Sequence, residues 1–434
     1  LKINIIGIEE LNIRSKGIKI LDGIEHFENL KKLDVQTNNL TKIDISKNLK
    51  LEELLVSNTS TPATDYNRIN EINLTNNTSL KIIKVRDIGL LSIDVSTNSK
   101  LEELSLGNNH SSEAEVSTVD LSNNSELKHL SIGLLTTFSS IDLSNNSNLE
   151  ELYLTSLTSM NALDVSKLKN LKLLNIGGTP INSIDLSQNE SLENYFGLYN
   201  SNIGPNKIDF TNNSKLKQLN LRKGAINEIK FSENNSVQVI SFEAMNEVLI
   251  RNVISNLNQL NFISIQRVTF DEKNLNLNSK KLESLLLIYN NGLSCVSVSS
   301  ETKAFLESDN GFLVIRDNDP EITLTTNCDT PFYLDTNGVT IKANDGVKAG
   351  TTGKLGGVTY TAVDNTMLKS MVANDEDVTK VVTTLVTEMF SLFKNDNEFN
   401  QDITSWDLSN VIDVRQMFWK AERFNQDIGS WDVS

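Results

Sequence analysis

The feature that most constrains this chain is a short repeat. Leu30, Leu51, Leu80, Leu101, Leu127, Leu149, Leu171, Leu192, Leu216, Val237, Leu260 and Leu282 each open a similar run, most of them 21 or 22 residues after the one before. An element this short cannot bury an apolar face by itself, so successive copies have to stack, each touching only its neighbours. Longer gaps hold insertions, Ser60 to Asn70 and His110 to Glu115 among them, which belong in loops rather than in the stack.

Each repeat has two apolar halves, as in Leu171-Lys172-Leu173-Leu174-Asn175-Ile176 followed by Ile181-Asn182-Ser183-Ile184-Asp185-Leu186-Ser187. Both alternate with a period of two, so both are expected as short strands joined by turns. The period is that of a leucine-rich repeat. The predicted fold is a leucine-rich-repeat solenoid of parallel strands and short turns, mostly β and coil with little helix, its coils about 4.8 Å apart. Residues 1–29 are expected to cap the N-terminal end and 30–298 to form one continuous curved array.

Composition agrees. A chain of 434 residues is too long for one compact core, and with 6% aromatics and 5 prolines it buries a thin aliphatic stripe instead. The net charge is -16 and no basic block interrupts it, which argues against nucleic acid and anionic membrane as partners. No apolar run approaches the roughly 18 residues of a membrane span, so no membrane insertion is expected. The sequence opens at Leu1 without a charged and apolar leader, so any export signal is expected to have been removed, and Ser434 falls inside a repeat.

The second half of the repeat is monotonous. Asp44, Asp94, Asp120, Asp142, Asp164, Asp185 and Asp209 share one row, with Asn73 and Lys230 as exceptions. Asn48, Asn77, Asn98, Asn124, Asn146, Asn189, Asn213 and Asn234 share another, interrupted by Leu168. Buried asparagines suit the backbone groups of turns, which must find partners inside a solenoid. The aspartates repel one another and need an offset, either hydrogen bonds from Ser and backbone N–H groups or a chain of cations; no metal is assigned.

The outward row of the first half instead changes at every step: Asp34, Leu55, Lys84, Ser105, Ser131, Tyr153, Asn175, Phe196, Asn220, Ser241 and Ser264. Structural demand alone leaves such a row uniform, so this half is the expected recognition face. Aromatic and arginine side chains carry most interface energy, which singles out Lys84, Arg86, Tyr153, Phe196 and Arg222 as ligand-binding candidates. Histidines stand scattered at His26, His110 and His129, and the acid pairs Glu52-Glu53, Glu102-Glu103 and Glu150-Glu151 recur with the repeat as solvated turn residues. No catalytic constellation and no cofactor motif results, and the chain is not expected to be an enzyme.

Two cysteines, Cys295 and Cys328, lie near the end of the array. They are expected to form one disulfide that ties down a C-terminal cap over residues 299–330, with Val296, Val298, Phe305, Leu306, Phe312 and Val314 over the last coil; two buried thiols are the alternative. Residues 331–377 look like a small β-rich connector, with a hairpin turn at Gly356-Gly357 and one helix over Asn365 to Ala373. Gly353-Lys354 is no phosphate loop, because Lys348 and Leu355 stand where Gly and Ser or Thr are needed. From Val378 a second repeat begins. Phe399-Asn400-Gln401-Asp402-Ile403 returns as Phe424-Asn425-Gln426-Asp427-Ile428 and Trp406-Asp407-Leu408-Ser409 as Trp431-Asp432-Val433-Ser434, each 25 residues on, as Phe418 follows Phe393. These aromatics are expected to stack as core.

The segment Leu30-Lys31-Lys32-Leu33-Asp34-Val35-Gln36-Thr37-Asn38-Asn39-Leu40 resembles the repeats of bacterial leucine-rich-repeat surface proteins, with short internalin-J-like units over about Gly17 to Cys328. In that family the matching strand lines the concave sheet, which implies recognition on the variable half; the family's cysteine column is missing here. FNQDI followed by SWD resembles the lipoprotein-type repeat of BspA-family surface proteins, common in Bacteroidetes and mycoplasmas, from Val378 to Ser434. The resemblance implies a secreted or cell-surface adhesion protein with an extracellular protein or glycan as partner. A structural spacer that displays another module is the alternative, and it predicts uniform surface rows.

Overall fold

The computed structural model describes the chain apart from residues 1–4, 59–66, 108–115, 199–203, 223–225, 319–321, 327, 329–330, 336, 345, 356 and 432–434. His110 and most of both insertions lie outside the described residues. The chain divides into two compact units, Leu1–Val268 and Thr269–Ser434.

The first unit is a parallel β-solenoid. Its strands are β1 (Glu10–Asn12), β2 (Lys32–Asp34), β3 (Glu53–Leu55), β4 (Ile82–Arg86), β5 (Glu103–Gly107), β6 (His129–Gly133), β7 (Glu151–Thr155), β8 (Leu173–Asn175), β9 (Asn194–Leu198), β10 (Lys207–Phe210), β11 (Gln218–Arg222), β12 (Glu228–Phe231), β13 (Val239–Glu243) and β14 (Phe262–Gln266). β1 to β9, β11, β13 and β14 pair in that order, and β10 pairs with β12 alone. Every pairing is parallel, as one strand per coil requires. Inward side chains fill the stack: Leu33, Leu54, Ile83, Leu104, Leu130, Leu152 and Leu174 are fully buried one above another. A helix, α1 (Glu247–Asn256), occupies one coil, started by the Asn246 side chain accepting from the Leu249 N–H.

The second half of most coils is not a strand, contrary to expectation. Its backbone bonds locally instead. Asn124 N–H reaches the Leu121 carbonyl at 3.0 Å and Leu127 N–H the Asn124 carbonyl at 3.2 Å, and the same pair of bonds recurs at Asn48, Asn77, Asn98, Asn146, Asn189 and Asn213. Groups spent on turns cannot join an interstrand ladder. The Asn side chains then tie coil to coil. Asn124 Nδ2 donates to the Val95 carbonyl at 3.1 Å and the Asn98 carbonyl at 2.8 Å in the preceding coil. Asn146 does the same to Leu121 and Asn124, and Asn213 to Leu186 and Asn189. Each of these Asn residues is buried, its Oδ1 accepting no bond among the described residues, the cheaper member of an amide to leave unpaired. One member of the expected row is corrected: Asn234 is exposed, and Asn235 is the buried residue, donating to the Asn256 carbonyl at 3.1 Å at the end of α1. Unlike the others, which donate back to the preceding coil, it donates forward to the coil that holds α1.

Each row aspartate accepts the N–H of the residue two further on, at 2.8 to 3.0 Å, as Asp120 does from Ser122 and Asp164 from Ser166. Those backbone and hydroxyl bonds hold all seven carboxyls below the usual range.

A second row bonds across coils by charge. Directly after the residue that opens each repeat stand Lys31, Glu52, Lys81, Glu102, Lys128, Glu150, Lys172, Glu193 and Lys217, strictly alternating in sign. Glu52 meets Lys81, Glu102 meets Lys128, Glu150 meets Lys172 and Glu193 meets Lys217, each at 2.7 Å. Glu52, Glu102 and Glu150 are therefore solvated but paired. Exposed pairs add little stability, but like charges brought face to face oppose a wrong register.

In the second unit β15 (Asn274–Asn276), β17 (Cys295–Ser297) and β19 (Thr323–Thr325) pair in parallel, as do β16 (Ser284–Ile288) and β18 (Phe312–Arg316). Residues 299–330 hold α2 (Ser300–Leu306), β18 and β19 in the register of a further coil. Val296, Val298 and Leu306 are buried there, while Phe305 and Phe312 are exposed. Cys295 and Cys328 are bonded. Beyond them come an antiparallel pair, β20 (Phe332–Leu334) with β21 (Ile341–Ala343), and a hairpin, β22 (Thr352–Leu355) with β23 (Val358–Ala362), turning at Gly357 with φ of 84°. β23 also takes β24 (Val381–Val382) in parallel, and α3 (Asn365–Ala373) falls where the sequence places a helix. In the second repeat Phe393 stacks on Phe418 at 5.6 Å, Phe399 on Phe424 at 5.7 Å and Trp406 on Trp431 at 6.5 Å.

Two outcomes follow for the Asn and Asp rows. Asn124→Ala removes two buried inter-coil hydrogen bonds and leaves the Val95 and Asn98 carbonyls with only their turn N–H donors, which should lower the unfolding free energy by about 1–3 kcal/mol, whereas Asp120→Ala, on the exposed row, should change it far less. Because the folded carboxyls titrate below their ordinary value, they stabilise the fold above pH of about 4 and that contribution is lost as pH falls through their depressed range. Changing Asp120, Asp142 and Asp164 together to Asn keeps the turn acceptors and should make acid unfolding, followed by circular dichroism, begin at lower pH.

Candidate ligand-binding face

Register fixes which side chains share the outward face. Asp34, Leu55, Lys84, Ser105, Ser131, Tyr153, Asn175, Phe196, Asn220, Ser241 and Ser264 are successive Cα partners and make one unbroken row. The row is not evenly open, since Asp34, Ser105 and Ser264 are buried beneath longer neighbours.

Arg86 ends β4, where its N–H donates to Ser57 Oγ at 3.0 Å. Its register partners on the next two strands are Gly107 and Gly133. With no side chains there, the guanidinium lies across both strands and donates to Ser131 Oγ at 3.2 Å. A Cβ on Gly107 would stand 2.8 Å from the Gly133 carbonyl and 3.3 Å from Arg86 Nε, and one on Gly133 would stand 2.6 Å from Thr155 Oγ1. Ser131 is the register partner of Tyr153, so the hydroxyl that holds the guanidinium sits on the strand next to the tyrosine. The Tyr153 hydroxyl donates to Glu151 Oε2 at 3.2 Å, and His129 Nδ1 lies 3.4 Å from the same oxygen. Burial first, then the Glu151 charge, pushes the phenol above its usual range, so it stays protonated.

The other cations differ. Lys84 Nζ meets Glu103 at 2.7 Å, and Arg222 Nε meets Glu243 at 3.2 Å, which Arg267 also engages. Among the described residues Arg86 alone of the three has no carboxylate partner. The structure thus brings Lys84, Arg86 and Tyr153 together over four neighbouring strands, while Phe196 and Arg222 lie on β9 and β11. Glycine at 107 and 133 and serine at 131 are the contributors that sequence reasoning passed over. Their signal was small residues following an arginine in register.

Residues 361–434 match the family described as Mycoplasma protein of unknown function, DUF285. No curated protein matches the chain. Among solved structures it is similar to an internalin, InlF, of Listeria monocytogenes, at 18% identity, covering 75% of this chain and 88% of that one, with a TM-score of 0.44. The functional domain of InlJ of the same organism, which includes a cysteine ladder, gives 18% identity, 68% and 69% coverage and a TM-score of 0.43. The leucine-rich-repeat protein LIC12759 of Leptospira interrogans gives 14%, 69% and 93%, and 0.37. Among the described residues no helix is long and apolar enough to cross a membrane.

Gly107→Ala should force the Gly133 carbonyl or the arginine aside and lower stability by about 1–3 kcal/mol. Gly7→Ala, where an added Cβ meets nothing within 4 Å, is the control; thermal melts of both variants compare them.

Proposed function

We propose that this chain is an extracellular or cell-surface binding protein that recognises a protein or glycan through the outward face of its first solenoid, with Lys84, Arg86, Tyr153, Phe196 and Arg222 as contributors. One observation carries this reading: Arg86 laid across the Gly107 and Gly133 floor onto Ser131, the register partner of Tyr153, and without a carboxylate partner among the described residues. A half-buried cation held by neutral groups is poised for an acceptor on a ligand. The disulfide supports an oxidising location, hence a secreted or surface protein. A domain plan of cap (1–29), solenoid (30–298), disulfide-tied coil (299–330), connector (331–377) and BspA-type repeats (378–434) accompanies it. The family match over 361–434 is in keeping with a separate C-terminal module.

A spacer is the second reading, favoured by the uniform Asp row and the alternating Lys and Glu row, neither of which offers a partner a distinctive surface. Binding of the whole chain to panels of extracellular proteins and glycans separates the two. With a ligand in hand, Arg86→Ala should weaken binding about tenfold, worth roughly 1.4 kcal/mol, at an unchanged melting temperature. If Arg86, Tyr153 and Phe196 variants all bind as the parent does, the outward face is not the recognition surface.

A further inference from the structure

After β19 the parallel pairing gives way, and the chain turns into the antiparallel pair β20 and β21. The two arrangements meet at a few points. Thr325 Oγ1 donates to Asn344 Oδ1 at 2.8 Å across them, while on the stack side Asn278 Nδ2 donates to the Thr326 carbonyl at 3.4 Å. Between them a cavity of about 700 Å³ remains, lined by Asn278, Lys303, Thr325, Tyr333, Asp335 and Asn344 among others. Its size falls within the range of small-molecule sites, roughly 300–1,000 Å³.

The lining narrows the chemistry. Its two charged side chains are both paired within the fold, Lys303 Nζ with Glu307 at 2.7 Å and Asp335 with Lys342 at 2.9 Å. An ionic ligand gains little where the charges already balance. The remainder are amides, hydroxyls and one half-buried phenol ring, with Leu334 half exposed at the rim. Amides and hydroxyls each donate and accept, and an aromatic ring offers a flat apolar surface, a combination that suits ligands presenting alternating hydroxyls on one edge and C–H groups on a face.

We propose that the notch where the coil stack gives way to the antiparallel connector is a binding site for a neutral saccharide of one to three units. It is separate from the outward face of the first solenoid and does not depend on it. Tyr333 supplies the stacking platform, and Asn278, Thr325 and Asn344 supply the polar contacts.

The test is titration of the whole chain by saturation-transfer NMR and calorimetry with lactose, maltotriose and triacetylchitotriose, and with sialyllactose as the acidic counterpart. At least one neutral sugar should bind, more tightly than sialyllactose. Tyr333→Ala should weaken it about tenfold or more while Tyr333→Phe keeps most of the affinity. Ser300→Trp, which fills the cavity from an exposed position, should abolish binding in a chain whose melting is unchanged, and Arg86→Ala should leave it intact. The proposal is overturned if no neutral sugar binds, if sialyllactose is preferred, or if the Tyr333→Ala and Ser300→Trp variants both bind normally.

Discussion

The turn amides of the second half are the constraint on which the rest of the first unit rests. A coil that reverses direction within a few residues spends its N–H groups on its own turns, so each buried turn carbonyl has one local donor and a second lone pair facing the next coil with no backbone N–H to meet it. One Nδ2 group per coil answers two of them at once, from Asn48 through Asn213. The gap at Leu168 is instructive. Its backbone keeps the same turn, with Leu168 N–H on the Val165 carbonyl at 2.9 Å, and Asn189 still donates to the Leu168 carbonyl at 2.8 Å. The asparagine therefore does not make the turn. It joins one turn to the next, and where it is omitted the Leu143 and Asn146 carbonyls keep, among the described residues, their turn N–H donors alone.

With stacking secured on that side, the first half of the coil has only to keep its inward residues apolar. Its outward row is free to differ from coil to coil. Where it carries a long cation, the neighbouring coils either answer with a carboxylate, as Glu103 does for Lys84, or shrink to glycine, as at 107 and 133 beneath Arg86. The same solenoid thus produces neutralised and unneutralised cations a few ångströms apart. The distinction comes from side chains one and two coils away.

Period and alternation made much of this legible. The rows of the outward face follow directly from the spacing of the opening leucines, and so do the stacked aromatics of the second repeat, because a fixed period maps sequence distance onto one strand spacing. The second halves misled, since an extended segment that bonds within its own turns shows the same alternation as a strand. Asn234 and Asn235 are adjacent, and periodicity cannot tell which one the α1 carbonyl will take. The sign alternation from Lys31 to Lys217 was present in the sequence but visible only when read down the stack; along the chain, Glu52-Glu53 looks like a like-charge pair in a turn. Partners of Lys84, Arg86 and Arg222 were not legible, because they depend on how far a side chain reaches across coils. Helix α1 was missed because its ten residues replace a second half without disturbing the period around them.

The alternating row also gives the array a parity. Removing one coil, say that of Glu102, would bring Lys81 against Lys128, and adding one would set two like charges side by side, whereas removing or adding two restores the order. From Lys31 to Lys217 the array changes length without setting like charges together only by even steps, so the unit that keeps the charge order is the pair of coils, one acidic and one basic at that position, rather than the single repeat that the leucines mark out.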